Sequence, residues 1–558
     1  MSIISRHPLL LLVLLAVTAD NMVAENAYLQ PGDEIFMLGD SVGSQDGHQD
    51  HMKWILETLY PDAAIKIVNA GSGGKSSGSA VSGLEMYPAT GKRAIVTVMY
   101  GLNDLQWNWS NMDVKVKSYV ENLTRTIELA REKKLPLIFL RETHLTRGAD
   151  VDHYAAALTS ALELLLQAQD VLAAKHNVPV IDVMNAYRRA HQKSWIRDLE
   201  YRFAPDMIHP IQPGHAAVAT EILRAMGVGL PLGTTERGPL HLAAESPIRL
   251  EAVDQNAIVT EDGLLTVRVR CRNLSGKEVE GSLTIVAAPH KEARKVKISA
   301  FGMQEVYFGI PAGKMQDRWR IMPLYMVFAG EGLFAAEHAL FQHVRVTPRG
   351  TPYEAGAEDF GDWERIVPKT ASCPVTKAVA TYEKNEMQLV FTWEDANIVT
   401  ARPGFSRDDG SVVEKALDLN GNGAQLCDAV EFMFDLRPED STGRFNCAVG
   451  QTPKGVVRLG VYRIKDGNET AARLMLPEGL KRELISLERK DADTWSLHVK
   501  NLPAAETISW SMRVTDADEF GKGRLYQLTG KRFMSSEPMG YIRHGRVDKA
   551  STFFRVGY

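Results

Sequence analysis

The sequence predicts a mixed architecture: one α/β domain built on a parallel sheet, followed by two antiparallel β-rich domains. Three observations predict it. Apolar runs alternate with helical patterns from about residue 34 to 229. Period-two alternation replaces them from about residue 246 to 348. Strand-like runs rich in aromatics then continue from about residue 351 to the end. At 558 residues the chain exceeds what one core organises.

In the first region the expected strands are Glu34–Gly39, Ala64–Asn69, Ala94–Tyr100, Pro136–Leu140 and Val178–Val183. The stretches Asn111–Lys134 and Tyr154–His176 carry apolar residues at i, i+3 and i+4, the helical period. Such alternation implies a parallel sheet covered on both faces. A short linker with Pro and Gly spans Leu230–Gly238. The second region alternates, as in Leu265-Thr266-Val267-Arg268-Val269-Arg270, and reads as a small β-sandwich. The third places Trp363, Trp393, Trp495 and Trp510 among its strands.

Ahead of these lies an export signal: Arg6 and His7, an apolar run from Pro8 to Val17, and small-residue cleavage sites ending at Ala19 or Ala24. The expected destination is secreted, periplasmic or extracellular. The expected division is 1–24 signal peptide, 30–231 α/β domain, 244–348 spacer sandwich and 351–558 terminal sandwich. A net charge of -5 without a basic stripe argues against a nucleic-acid partner. No segment reads as transmembrane. Four cysteines cannot carry the fold; Cys427 with Cys447 is the expected bridge, leaving Cys271 and Cys373. Sequons stand at Asn108, Asn122, Asn273 and Asn468.

In open parallel sheets the chemistry gathers beyond the carboxyl ends of the strands. The first strand ends in Gly39-Asp40-Ser41, where a serine meets a helix start; alone it is equally a good N-cap. The second ends in Asn69-Ala70-Gly71-Ser72-Gly73-Gly74-Lys75-Ser76, a glycine turn that can offer free amides; Asn at 69 breaks the phosphate-loop pattern. The third ends in Gly101-Leu102-Asn103-Asp104, with an amide side chain. After the fifth comes Pro205-Asp206-Met207-Ile208-His209-Pro210, a carboxylate three residues before an imidazole, able to orient it as a base. A helix is expected to open at Ala216.

Taken together, these four blocks resemble the SGNH (GDSL-like) hydrolase family over roughly residues 30–230. The resemblance implies a flavodoxin-like α/β fold with Ser41 as nucleophile, His209 as base and Asp206 as its carboxylate. It implies an oxyanion hole from Ser41, Gly74 and Asn103, with Gly71 and Gly73 as alternative alignments for Gly74. Asp40, Lys75, Asp104 and His144 are expected at the substrate cleft. Val42 and the stretch Gly43–Gly47 depart from the family's pattern after the nucleophile, which leaves the subfamily open. The implied reaction is two-step acyl transfer that needs no cofactor and no catalytic metal.

The cluster Asp46, His48, Asp50 and His51 reads as a polar helix start at the cleft mouth rather than a metal site. Asp418, Asn420 and Asn422 are spaced like calcium ligands but lack the final Glu, so a structural Ca²⁺ there stands beside a plain Asn-Gly turn. The last region resembles carbohydrate-binding family 9-like β-sandwiches. Asp359-Phe360-Gly361-Asp362-Trp363, Leu389–Trp393 and Asp428–Asp435 carry that likeness. The leading expectation is a secreted esterase that deacetylates O-acylated polysaccharide, with glycan held by the terminal domain. The alternatives are a lipid, aryl-ester or thioester hydrolase, and a catalytically silent glycan-binding surface protein.

Overall fold

A computed structural model describes residues 29–233 apart from 45–46, 88–90, 144, 146–152, 196–203, 205–207 and 211. It describes 243–348 apart from 254–255, 259–263, 288 and 312–320, and, beyond 351, chiefly the strands. The expected signal peptide, Asp46, His144, Asp206, Trp363, Asn468, Cys373, Cys427, Cys447 and the Asp418/Asn420/Asn422 loop lie outside the described residues.

The first domain is a five-stranded parallel sheet. Its strands are β1 (Glu34–Gly39), β2 (Lys66–Asn69), β3 (Ala94–Met99), β4 (Leu137–Leu140) and β5 (Val180–Ile181). They run in the order β2-β1-β3-β4-β5, all parallel. This is the flavodoxin-like order, whose switch point lies between β1 and β3. Every residue of β1 and β3 is buried, so both read as unbroken apolar runs rather than alternating ones. The last strand spans two residues, shorter than expected, because Asp182 already caps the following helix: its Oδ1 accepts the Asn185 N–H at 3.0 Å.

The helices are α1 (Ser41–Ser44), α2 (Gly47–Leu59), α3 (Ser79–Glu85), α4 (Met112–Glu132), α5 (His153–His176), α6 (Val183–Trp195) and α7 (Gln212–Ala225). Helix α7 begins four residues earlier than expected. Pro213 sits in its first turn, where a missing N–H costs nothing. Among the described residues no helix is long and apolar enough to cross a membrane.

The region from Ile248 to Pro348 forms two antiparallel sheets. One is β6 (Ile248–Ala252), β8 (Leu264–Asn273) and β11 (Met303–Pro311); the other contains β9 (Val279–Ala287), β10 (His290–Ile298), β12 (Ile321–Gly330) and β13 (Leu333–Pro348), with β7 (Asn256–Ile258) reaching it through the last strand of the chain. Their inner faces enclose one core that includes Val267, Phe308 and Phe328, consistent with the expected sandwich. Cys271 is a free, buried thiol in this core.

This region is more than a spacer. Tyr325, Val327 and Phe334 join the core of the first domain. The Tyr325 hydroxyl donates to the Val228 carbonyl at 3.1 Å, and Lys291 Nζ to the Leu59 carbonyl at 3.1 Å. The start of the expected linker is also docked, since Tyr60 Oη donates to the Leu230 carbonyl at 2.7 Å.

The terminal region holds a five-stranded antiparallel sheet whose centre is Val375–Glu383, Glu386–Trp393 and Thr494–Val499. A second set of strands packs on it around Phe391, Phe432 and Leu459. The chain end Ser551–Val556 pairs with β13, and Ile542–Gly545 does too, so hydrogen bonds cross the 348–351 boundary.

Candidate active site

β1 delivers Ser41 to the carboxyl edge of the sheet. The strand ends at Gly39, where an added Cβ would meet the Met99 carbonyl oxygen at 3.2 Å, so the chain passes close to β3 before turning. Asp40 then caps the turn: its Oδ1 accepts the Val42 N–H at 2.9 Å. The Ser44 N–H donates to the Asp40 carbonyl at 2.9 Å, closing one helical turn with Ser41 at its head. Gln49 Nε2 holds the turn from outside, donating to the Gly43 carbonyl at 2.6 Å.

His209 reaches Ser41 from the loop before α7. Its Nε2 lies 2.9 Å from Ser41 Oγ across 168 residues of sequence. That distance is within reach for proton transfer. Pro210, buried behind the histidine, starts the descent into α7. Gly214 permits that path, because a Cβ there would meet the Tyr187 ring at 2.6 Å.

The glycine turn after β2 packs directly on the serine turn. A Cβ on Gly71 would meet Ser44 N at 2.7 Å and Gly43 C at 2.8 Å, both backbone atoms. Gly74 stands at the exposed tip with φ +72, a conformation that suits glycine. The structure thus sets Gly71 apart as a packing position, while Gly73 and Gly74 are both open, with nothing within 4 Å of an added Cβ.

Asn103 binds the blocks together. Its Nδ2 donates to Asp40 Oδ2 at 3.2 Å and to the Lys75 carbonyl at 3.0 Å. Of the residues expected at the cleft, Lys75 contributes this carbonyl while its side chain is exposed. Asp40 is buried beneath the serine, at 1% exposure, rather than lining a cleft. Asp104 clamps the glycine loop instead. Its carboxylate accepts the Ser77 N–H at 3.0 Å and the Ser77 hydroxyl at 2.5 Å. Asn122 completes the clamp, donating to Ser77 Oγ at 3.1 Å from within α4.

The same bond engages the side-chain amide of the Asn122 sequon. Asn273 is buried, with Nδ2 donating to the Lys277, Ile298 and Ser299 carbonyls, and Asn108 Nδ2 donates to the Gln106 carbonyl. The three described sequon asparagines are structural turn or clamp residues.

Burial shapes the electrostatics. Desolvation pushes the Asp40 carboxyl up to about 6, against the opposing Val42 N–H and His209, with Asp104 adding repulsion. Burial also raises Asp104, against the Ser77 hydrogen bonds. Sequence reasoning missed Glu142, which follows β4 and is fully buried. Desolvation, then the neighbouring Asp40 charge, hold it well above the usual carboxylate range. Its Oε1 accepts the Thr143 N–H at 3.0 Å. A carboxylate two residues past a central strand was the available signal.

His48 and His51 do not mark a cleft mouth. Both are buried on α2, and the His48 ring stacks on His215 of α7 with centroids 5.8 Å apart. Gly47 makes room, since a Cβ there would run into the His215 ring. Among the described residues no group of His, Cys, Asp and Glu is arranged to hold a metal ion.

The strand-end serine thus stands in contact with an imidazole, beside a glycine turn and an Asn-Asp turn. Residues 37–217 match the GDSL-like Lipase/Acylhydrolase family. The match spans β1 to the middle of α7 and contains every block of the GDSL-like site. No curated protein matches the chain.

Solved structures similar to it include a gut microbial diltiazem-metabolizing enzyme, at 14% identity over 49% of this chain and 74% of that one, with a TM-score of 0.32. An alpha/beta hydrolase enzyme from the metagenome of Lake Arreo, Spain, is 19% identical over 37% of this chain and 100% of that one, TM-score 0.30. An acetylxylan esterase from Geobacillus stearothermophilus is 19% identical over 36% of this chain and 97% of that one, TM-score 0.30.

Proposed function

We propose that the protein is a secreted serine esterase that removes acyl groups from polysaccharide through Ser41 and His209. The observation that carries the chemistry is the 2.9 Å contact between His209 Nε2 and Ser41 Oγ at the carboxyl edge of the sheet. His209 takes the Ser41 proton as Oγ attacks the ester carbonyl, then returns it to the leaving alcohol. Water, activated by the same ring, releases the acid. Asp206, three residues before His209, is assigned to hold the ring's other nitrogen and offset the imidazolium charge.

The amides of Ser41 and Gly74 and the Asn103 side chain are assigned to the oxyanion. Both hydrogens of Asn103 Nδ2 have acceptors in the resting site. The developing oxyanion therefore takes over the hydrogen now given to the neutral Lys75 carbonyl. An anionic acceptor makes the stronger hydrogen bond, so the exchange favours the transition state over the ground state.

The polysaccharide substrate and the glycan-binding role of the terminal region rest on the export signal and the family 9-like sequence runs. Replacing Ser41 by Ala should leave the thermal transition in place and abolish turnover of p-nitrophenyl acetate. Acetate release from O-acetylated glycans, compared with p-nitrophenyl esters of rising chain length, then selects the substrate. A rate that climbs with acyl length would favour the lipid reading.

A further inference from the structure

The loop that follows Asn103 carries two large aromatic side chains outward. Trp107 is 40% exposed and Trp109 is 50% exposed, at the same end of the sheet as Ser41. Leaving apolar indole surface in water has a free-energy cost.

The backbone beneath them is strained. Gln106 has φ +50 and Trp107 φ +58, two consecutive non-glycine residues in the left-handed region, each costing on the order of 1–2 kcal/mol. A bulky residue in that region is unusual, and such strain persists only where neighbours over-determine it. Here they do. The Lys115 ammonium donates to the Leu105 carbonyl at 2.6 Å, the Asn108 carbonyl at 2.9 Å and Asn108 Oδ1 at 2.6 Å. Asn108 Oδ1 also accepts the Ser110 N–H at 3.1 Å and hydroxyl at 2.7 Å. The turn is thus tied at both ends, and the two indoles are offered on a preset frame.

We infer that Trp107 and Trp109 form a stacking subsite for the neutral pyranose rings of the saccharide that bears the scissile ester. The inference rests on the ester-hydrolase reading of the adjoining site. Two facts favour a sugar. Trp107 lies four residues past Asn103, hence within roughly 14 Å along an extended chain and in reach of the ring next to the ester. An indole offers a flat apolar face with a polar N–H edge, which matches a pyranose with its C–H face and hydroxyl rim. A turn whose backbone is tied in advance also lowers the ordering cost on binding.

The test uses the full-length chain and two readouts. Unacetylated xylohexaose should quench tryptophan fluorescence of the wild type, and Trp107→Ala combined with Trp109→Ala should remove that response. With acetylated xylo-oligosaccharide, each single substitution should raise KM about three- to tenfold and leave p-nitrophenyl acetate kinetics unchanged. Trp107→Phe should recover most of the loss. Absence of quenching in the wild type, or quenching that survives the double substitution, would overturn the subsite. So would equal losses on both esters, which mean that the loop only supports the fold, or a KM effect confined to p-nitrophenyl octanoate, which means an acyl-chain platform. A wild type that binds xylohexaose but turns over no ester would refute the esterase reading and leave the subsite standing.

Discussion

The sheet of the first domain and the five-stranded sheet near the chain end use aromatic and polar residues in opposite ways. In the first, β1, β3 and β4 are buried along their length and the polar groups gather past their ends: Asp40-Ser41 after β1, Asn103-Asp104 after β3, Glu142 after β4. In the second, the large aromatics turn inward. Trp393 is fully buried, Trp495 nearly so, and Tyr382 lies beside them. Arg489 covers Trp495, with its guanidinium carbon 5.5 Å from the ring. A parallel sheet leaves every strand end on one edge, so chemistry can converge there; an antiparallel sheet splits its ends between two edges and keeps its side chains for the core. For these reasons Trp393 and Trp495 are core residues, while the exposed indoles sit at Trp107 and Trp109.

Substitutions on the two sheets should therefore fail differently. The largest effect belongs to the proposed base: His209→Ala should cost on the order of 10⁴-fold or more in kcat with little change in melting temperature. Asp104→Ala follows. It frees the Ser77 loop, so Gly74 and Asn103 lose their fixed places; steady-state kinetics should show a fall of about 10²-fold, near the loss of one oxyanion donor. In the terminal sheet, Trp393→Ala should cost about 3–5 kcal/mol by chemical denaturation, with p-nitrophenyl acetate turnover per folded molecule unchanged. A catalytic loss there without unfolding would break the comparison.

The smallest effect concerns Glu142. Its folded-state carboxyl titrates above the unfolded value, so the folded state binds the proton more tightly. Stability from this group is complete below the usual carboxylate range and is lost as pH rises toward the folded-state value. Glu142→Gln, which keeps the acceptor for Thr143 N–H, should match wild type at pH 4 and exceed it in melting temperature at pH 8. Asp40, raised to about 6, contributes in the same sense between roughly pH 4 and 6.

The parallel sheet was legible because fully buried strands leave unbroken apolar runs, and because Asp-Ser, Asn-Asp and Asp-x-x-His each stand where a run stops. The strand boundaries shifted by one or two residues where turn hydrogen bonds intervened, as at Asp182. The roles of Asp104, Ser77 and Asn122 were not legible. Their clamp joins the ends of two strands to a helix 45 residues from Ser77, and no local spacing encodes it. The docking of the middle region was hidden for the same reason. Tyr325 and Val327 read as ordinary alternating strand residues, yet they pack into the first domain. A chain cut near Gly238 would expose that surface, so its loss of activity should follow loss of stability.

The central claim is that Ser41 is a nucleophile activated by His209. A serine-directed fluorophosphonate, followed by peptide mapping, tests it most directly. The account predicts a single adduct at Ser41, formed rapidly in wild type, slowed by orders of magnitude in His209→Ala and absent in Ser41→Ala. Labelling at any other serine, or an unchanged rate in His209→Ala, would contradict it.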